Sequence, residues 1–220
     1  MRGCLDDLEA QTIASELEIV VVNSGSPEGE HEIVAEYMER YDNIVYVQTM
    51  ETETVYGAWN RGIAASSGEY LTNANTDDRH RADAFEVLAG ALDANPGVAL
   101  AYAGYRITRV ENEIFDTSRA DEACMPKEYS RYWLRRGHCL PGPQPMWRRS
   151  AHEVVGLFDD SYQSAGDFDM WLRMAAHAPF LRVPEYLGLY LNSPTSVEHR
   201  NVGLSTREAQ AALGRHAKLR

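Results

Sequence analysis

The spacing of apolar residues changes several times along the chain, and each change marks an element. Leu5, Leu8 and Ile13 recur at helical spacing with Asp6, Asp7 and Glu9 on the wet side, which predicts a short opening helix. Glu18 to Asn23 is an almost unbroken β-branched run, the pattern of a strand buried on both faces. A turn-rich stretch from Ser24 to Gly29 leads to a helix marked by Ile33, Val34, Tyr37 and Met38, then to a second strand over 43–49. Tyr56, Trp59, Asn60 and Ile63 place a helix over 55–67, with Gly68 as its left-handed terminator. Glu69 to Ala74 reads as a strand, and Ala82, Phe85, Leu88, Ala89 and Leu92 as a helix closed by Asn95-Pro96-Gly97. Residues 98–103 and 105–110 read as two further strands. Periodicity is then lost from Glu111 to Pro126, which predicts a mobile insertion or long loop. Pro141 to Pro145 is a stiff segment, and helices follow over 152–156 and 167–176.

Strands alternating with helices predict an α/β domain built on a mainly parallel sheet. A length of 220 residues with 44% hydrophobic positions suits one domain with a sizeable core. There is no run long enough to span a membrane and no signal peptide pattern. Three cysteines, Cys4, Cys124 and Cys139, show no metal-ligand or disulfide spacing and point to a reducing compartment. A cytoplasmic protein, membrane-peripheral at most, is expected.

Charge narrows the function classes. Twenty-one basic against 33 acidic residues leave a net charge of −12, which disfavours nucleic acid as a partner. An anionic ligand such as a diphosphate then needs a metal ion or a local basic cluster to offset repulsion. Asp77 and Asp78 directly follow a buried-looking strand, where ligands bind in open α/β sheets. Such a pair can hold a hard divalent cation that bridges nucleotide phosphates, or it can cap a helix. Asp167 opens the helix striped by Phe168, Trp171, Leu172 and Ala175, where it is an N-cap or a general base kept ionised by the helix dipole.

Six segments in order carry a resemblance: Glu18 to Ser26, Trp59 to Leu71, Thr76-Asp77-Asp78, Met146 to Ser150, Val155 to Asp159, and Ala165 to Arg173. Across roughly residues 4 to 190 they resemble glycosyltransferase family 2. The resemblance implies a GT-A fold, with residues 1–103 as the nucleotide-sugar half and 104–220 as the acceptor half. It implies inverting transfer of a sugar from a nucleotide-diphosphate sugar to a hydroxyl of a glycan, a lipid-linked glycan or a protein. It places Asp77 near the ribose, Asp78 on Mg²⁺ or Mn²⁺, and Asp167 as the base. Asn23 and Ser24 stand where the family usually carries an acidic pair that reads the base. Trp59 stands where an arginine is often found. His199, after the last strand, is a candidate for the metal shell or a solvated histidine.

The family normally opens with a strand and a Pro-x-Tyr-Asn-like turn, whereas this chain begins inside the helix that should follow. The resemblance therefore implies a sheet without one central strand, or one completed by another segment or chain, and a homo-oligomer stays open. Asn60 faces the donor or serves helix packing. Trp147 stacks on an acceptor sugar or packs against the sheet. Gly166 belongs to the acceptor side or serves backbone geometry. Arg148 and Arg149 meet phosphate or lie on the surface. A non-catalytic glycan- or partner-binding module is the rival reading, and a nicotinamide-dependent dehydrogenase is disfavoured because Ser24 to Gly29 lacks the glycine spacing.

Overall fold

The computed structural model describes residues 1–26, 29–193 and 202–217. Helix α1 (Arg2–Glu9) and a 3-10 turn (Ala14–Glu16) lead into β1 (Ile19–Ser24), α2 (Glu30–Met38), β2 (Ile44–Thr49), α3 (Val55–Ala65) and β3 (Tyr70–Thr72). After β4 (Arg79–His80) come α4 (Ala84–Asp93), β5 (Leu100–Thr108), β6 (Glu122–Cys124), α5 (Arg131–Arg135), β7 (Met146–Arg148), α6 (Ala151–Val155), α7 (Gly166–His177), β8 (Phe180–Leu191) and α8 (Val202–Arg215).

The alternation holds, but the sheet is mixed rather than mainly parallel. Among the described residues, β1 and β2 form a parallel pair of their own. The second sheet has the order β3-β7-β5-β8-β4, with β6 added to β5. In it β5 and β8 are parallel, whereas β7 runs antiparallel between β3 and β5. β1 is accordingly not buried on both faces: Ile19 and Asn23 are buried and the residues between them only partly so.

Strand β5 divides the core by simple alternation. Leu100 and Tyr102 point into a cluster with Trp147, Phe158, Phe168 and Trp171. Ala101 and Ala103 point the other way, into a cluster with Leu5, Leu8, Phe85, Leu88 and Met146. The two strands expected over 98–110 are this one strand. Its register shifts at Gly104, where a Cβ would lie 2.7 Å from Met125 Cε. A glycine at such a close approach interrupts the apolar period and makes one strand read as two.

Other expectations change for similar reasons. The stretch from Glu111 to Pro126 is tied down: it holds a 3-10 turn (Phe115–Thr117) and β6, which pairs antiparallel with β5. Helix α3 begins where Thr54 Oγ1 accepts the Gly57 N–H at 3.2 Å. It ends at Ala65 without a left-handed Gly68. Arg149 closes that end instead, donating to the carbonyls of Gly68 at 2.7 Å and Ile63 at 3.1 Å and to Ser66 Oγ. Arg148 likewise donates to the Val98 and Leu92 carbonyls, at 2.9 and 2.6 Å. Both arginines are therefore committed to backbone.

His80 in β4 sets a pH limit on the fold. Its side chain is buried against Phe85, and neither ring nitrogen has a hydrogen-bond partner among the described residues. Burial pushes its pKa from 6.5 down to about 4, with Asp7 pulling weakly upward and Arg79 downward. Below pH 6.5 the unfolded chain takes up a proton that the folded protein does not. His80 therefore leaves stability undiminished above pH 6.5 and costs up to about 3 kcal/mol as pH falls to about 4. In urea denaturation at pH 7 and pH 5, His80→Leu should lose less stability between the two than the parent. An equal loss would show that His80 does not titrate this way.

Candidate active site

One large cavity of about 1650 Å³ is lined by three of the functional candidates, Asp77, Trp147 and Asp167. Asp77 lies exposed in the turn after β3 and lines this cavity, as does Asp167 at the start of α7. Tyr105, Tyr190, Asn192, Gln163 and Ser164 contribute polar atoms to the same wall. Its acidic lining residues are Glu16, Glu18, Glu69, Asp77, Asp93 and Asp167, with no lysine or arginine among the described residues. A polyanion entering this space meets carboxylates, and a cation bound with it would offset that repulsion.

Asp167 is fixed from several directions. The Tyr56 hydroxyl donates to its Oδ1 at 3.2 Å, and the Phe168 N–H donates to the same atom at 2.8 Å. Burial first, and then the charge of Asp167, push the Tyr56 hydroxyl pKa well above its usual value, so it remains a donor. Gly166 makes this contact possible: a Cβ there would lie 2.7 Å from the Tyr56 ring. Gly166 thus serves backbone approach and does not itself face an acceptor.

Glu208 on α8 completes the support, and neither it nor α8 was anticipated from the sequence. Its carboxylate accepts the N–H groups of Gln163 at 3.0 Å, Ser164 at 2.8 Å and Ala165 at 3.0 Å, the residues leading into α7. The apolar face of Ala209, Ala212 and Leu213, packed on the core, is the signal that could have revealed α8. Asp169 on α7 ties the end of α8 through His216 at 2.8 Å and pairs within its own helix with Arg173 at 2.9 Å. Glu208→Ala should lower stability by about 1–2 kcal/mol, and Glu208→Gln by less, because three charge-assisted bonds before a helix start are lost or weakened. Equal urea midpoints for parent and Glu208→Ala would show that these bonds contribute nothing.

The two aspartates after β3 turn out to face different ways. Asp78 is 1% exposed and does not line the cavity. Its Oδ1 accepts the Leu191 N–H at 3.1 Å and its Oδ2 accepts from Asn75 at 3.0 Å. Burial is the main cause raising its pKa to about 7. Asp78 thus ties the β3 turn to β8, whereas Asp77 is the exposed carboxylate that lines the cavity. The expectation of Asp78 on the ion meets a carboxylate that is buried and bonded within the protein.

The neutral candidates are also spent on structure. Asn23 donates to the Tyr46 hydroxyl at 3.0 Å and accepts the Ser26 N–H at 2.9 Å. Ser24 Oγ accepts the Glu53 N–H at 2.8 Å. Asn60 clamps Phe158 through both its N–H and its carbonyl, each at 2.9 Å. None of these three lines the cavity. Trp147 is 3% exposed and packs with Trp171 and Phe158 at ring separations of 5.4 and 6.0 Å. Its indole N–H donates to His152 Nε2 at 2.9 Å. It lines the cavity wall while packed in the core cluster. His199 lies outside the described residues.

No cluster of three or more metal-ligating side chains occurs among the described residues. Asp77, one of several exposed carboxylates on the cavity, is an oxygen donor of the kind a hard cation takes beside a bound diphosphate.

Sequence and structure comparisons agree with this architecture. The family model "Glycosyl transferase family 2" matches residues 1–156. The chain belongs to glycosyl transferase family 2. An uncharacterised glycosyltransferase of Rickettsia typhi is 28% identical over 83% of this chain and 55% of its own length. Glycosyltransferase GlyA of Streptococcus pneumoniae is 38% identical over 40% of this chain and 12% of its own length. The chain thus spans at most about half of these relatives. Among solved structures, the mannosyltransferase PcManGT of Pyrobaculum calidifontis in complex with GDP-Man and Mn²⁺ superposes with a TM-score of 0.71 at 16% identity, covering 98% of this chain and 59% of that one. S. aureus TarS 1–349 in complex with UDP gives a TM-score of 0.70 at 17% identity, covering 96% of this chain and 60% of that one. These similarities establish a GT-A-like α/β fold for this family 2 chain. No helix among the described residues is long and apolar enough to cross a membrane.

Proposed function

We propose that this domain transfers a sugar from a nucleoside-diphosphate sugar to an acceptor hydroxyl on a glycan, a lipid-linked glycan or a protein, with inversion at the anomeric carbon. The observation that carries this reading is that Asp77 and Asp167 line one cavity. One acid faces it from the end of a strand and the other from the start of a helix. The fold neighbours bound to UDP and to GDP-Man with Mn²⁺ support the donor class.

Asp77 would hold a divalent cation together with the donor diphosphate. Bound there, Mg²⁺ or Mn²⁺ neutralises charge on the leaving diphosphate. Asp167 is the base: its carboxylate, oriented by Tyr56 and Phe168, takes the proton of the acceptor hydroxyl as that oxygen attacks. The amino terminus of α7 favours the negative charge this requires. A single displacement from the face opposite the leaving group inverts the centre without a covalent enzyme intermediate. Asp78 positions the turn that carries Asp77 and makes no contact with substrate.

A rival reading, a non-catalytic glycan- or partner-binding module, draws support from Asn23, Ser24 and Asn60, whose polar atoms are already bonded internally. Incubation with UDP- and GDP-sugars, Mn²⁺ and a panel of glycan and lipid-linked acceptors decides between them. Release of nucleoside diphosphate above background is expected. A folded protein that releases none, and whose melting temperature does not respond to UDP or GDP with Mn²⁺, is the rival's outcome.

A further inference from the structure

Charge is unevenly spread along this acidic chain. Residues 129–152 contain no Asp or Glu, although the whole chain has 33. In that stretch and just ahead of it, Lys127, Arg131, Arg135 and Arg136 are interleaved with Tyr129, Tyr132 and Trp133. Elsewhere arginines answer carboxylates: Arg61 pairs with Glu53, Arg79 with Asp7 and Arg109 with Glu122. Lys127, Arg135 and Arg136 make no salt bridge among the described residues. The one carboxylate of the segment 127–136, Glu128, is already paired with Arg182 at 2.9 Å.

Helix α5 holds these groups in place. Ser130 Oγ accepts the Tyr132 N–H at 3.2 Å where the helix starts, and Gly137, with φ of 85°, closes it. Leu134 is 1% exposed and anchors the helix in the core. Tyr132 is 57% exposed, and Arg135 and Arg136, three and four residues on, share its outward side. The Arg136 guanidinium lies 5.3 Å from the centre of the Tyr132 ring, and the Lys127 ammonium 3.4 Å from that of Trp133. The face thus presents exposed cations set over aromatic rings, with no carboxylate of its own to neutralise them.

We propose that this face of α5 docks on the surface of a membrane that bears anionic lipid. The cations meet headgroup phosphates, and the amphipathic rings of Tyr132 and Trp133 settle at headgroup level. Size favours a membrane over a protein partner. A stable protein interface takes about 20–30 residues a side, whereas each basic residue beside an anionic bilayer strengthens binding about fivefold on its own. The net charge of −12 does not prevent this, because carboxylates more than about 10 Å from the surface are screened at about 0.1 M salt. Gly137, Cys139 and Gly142, which follow α5, line the same cavity as Asp77 and Asp167. Docking therefore brings the rim of that cavity to the membrane. Delivery of a lipid-linked acceptor there rests on the transferase reading, but the docking does not, and its readouts do not use activity.

The test is sedimentation of the whole chain with vesicles at about 0.1 M NaCl. Phosphatidylcholine vesicles with about 30% phosphatidylglycerol should bind about 100-fold more tightly than phosphatidylcholine alone, about fivefold for each of three cations. Arg135→Glu with Arg136→Glu should lower that affinity at least about 25-fold, with the melting temperature unchanged because neither side chain is in a salt bridge. Arg40 stacks on Tyr41, which packs on the other core cluster across β5, so Arg40→Glu should bind as the parent does. Equal binding to neutral and anionic vesicles would overturn the proposal, as would a double variant that binds like the parent. A loss as large in Arg40→Glu would trace binding to total charge rather than to α5. Inorganic polyphosphate that binds as tightly as the vesicles at equal phosphate would make the occupant a free polyanion. Self-association that the double variant abolishes, with no vesicle binding, would give the face to a second copy of the chain. Each of these three results also overturns the proposal.

Discussion

Asp167→Asn should leave a folded protein that binds nucleotide normally and transfers sugar about 10²–10⁴ times more slowly. The geometry makes this substitution clean. The carboxylate oxygen that accepts from Tyr56 at 3.2 Å and from the Phe168 N–H at 2.8 Å becomes an amide oxygen able to accept both bonds. Packing around Gly166 is untouched, so the amino end of α7 keeps its place against the Tyr56 ring. What disappears is the ability to take a proton from the acceptor. The defect should therefore appear in kcat, with the nucleotide Kd and the melting temperature unchanged. Turnover within tenfold of the parent in single-turnover measurements would remove Asp167 from the role of base.

Asp77→Ala should abolish the stabilisation that Mn²⁺ and UDP or GDP give together, and with it transfer, while the unliganded melting temperature stays as it was. Asp77 is exposed on a turn, so folding does not depend on its carboxylate. In a cavity whose charged lining side chains are acidic, the proposed cation on Asp77 would offset the repulsion a diphosphate meets there. Asp78→Ala should do the reverse. It deprives the Leu191 N–H and Asn75 of a buried acceptor and should cost roughly 2–3 kcal/mol of stability. Thermal shifts of the two variants, with and without Mn²⁺ and nucleotide, separate the roles. If Asp78→Ala alone lost the metal-dependent response at unchanged stability, the ion would belong to Asp78.

Several features follow from local pattern alone. The period of apolar residues gives the positions of α1, β1, β2, α3 and α7, because each element must bury one stripe or face regardless of its partners. The placing of carboxylates after a strand and at a helix start is legible for the same reason: those positions are defined by the backbone element itself. The order of the motifs from Glu18 to Arg173 carries the family, which the match over residues 1–156 bears out.

Partner choice is a non-local matter, and there the tertiary structure decided. Asp77 and Asp78 are chemically identical and adjacent. Which of them lines the cavity is set with the help of Leu191, 113 residues from Asp78, whose N–H bonds Asp78 while Asp77 stays exposed. The amides of Asn23 and Asn60 looked available for a ligand until Tyr46 and Phe158 took their hydrogen bonds. β7 is only three residues long, too short to show a direction in sequence, yet its antiparallel insertion makes the sheet mixed. Sequence spacing specifies which face an element buries. What that face meets, and which polar atoms remain free for chemistry, is set only when distant segments pack together and compete for the same hydrogen bonds.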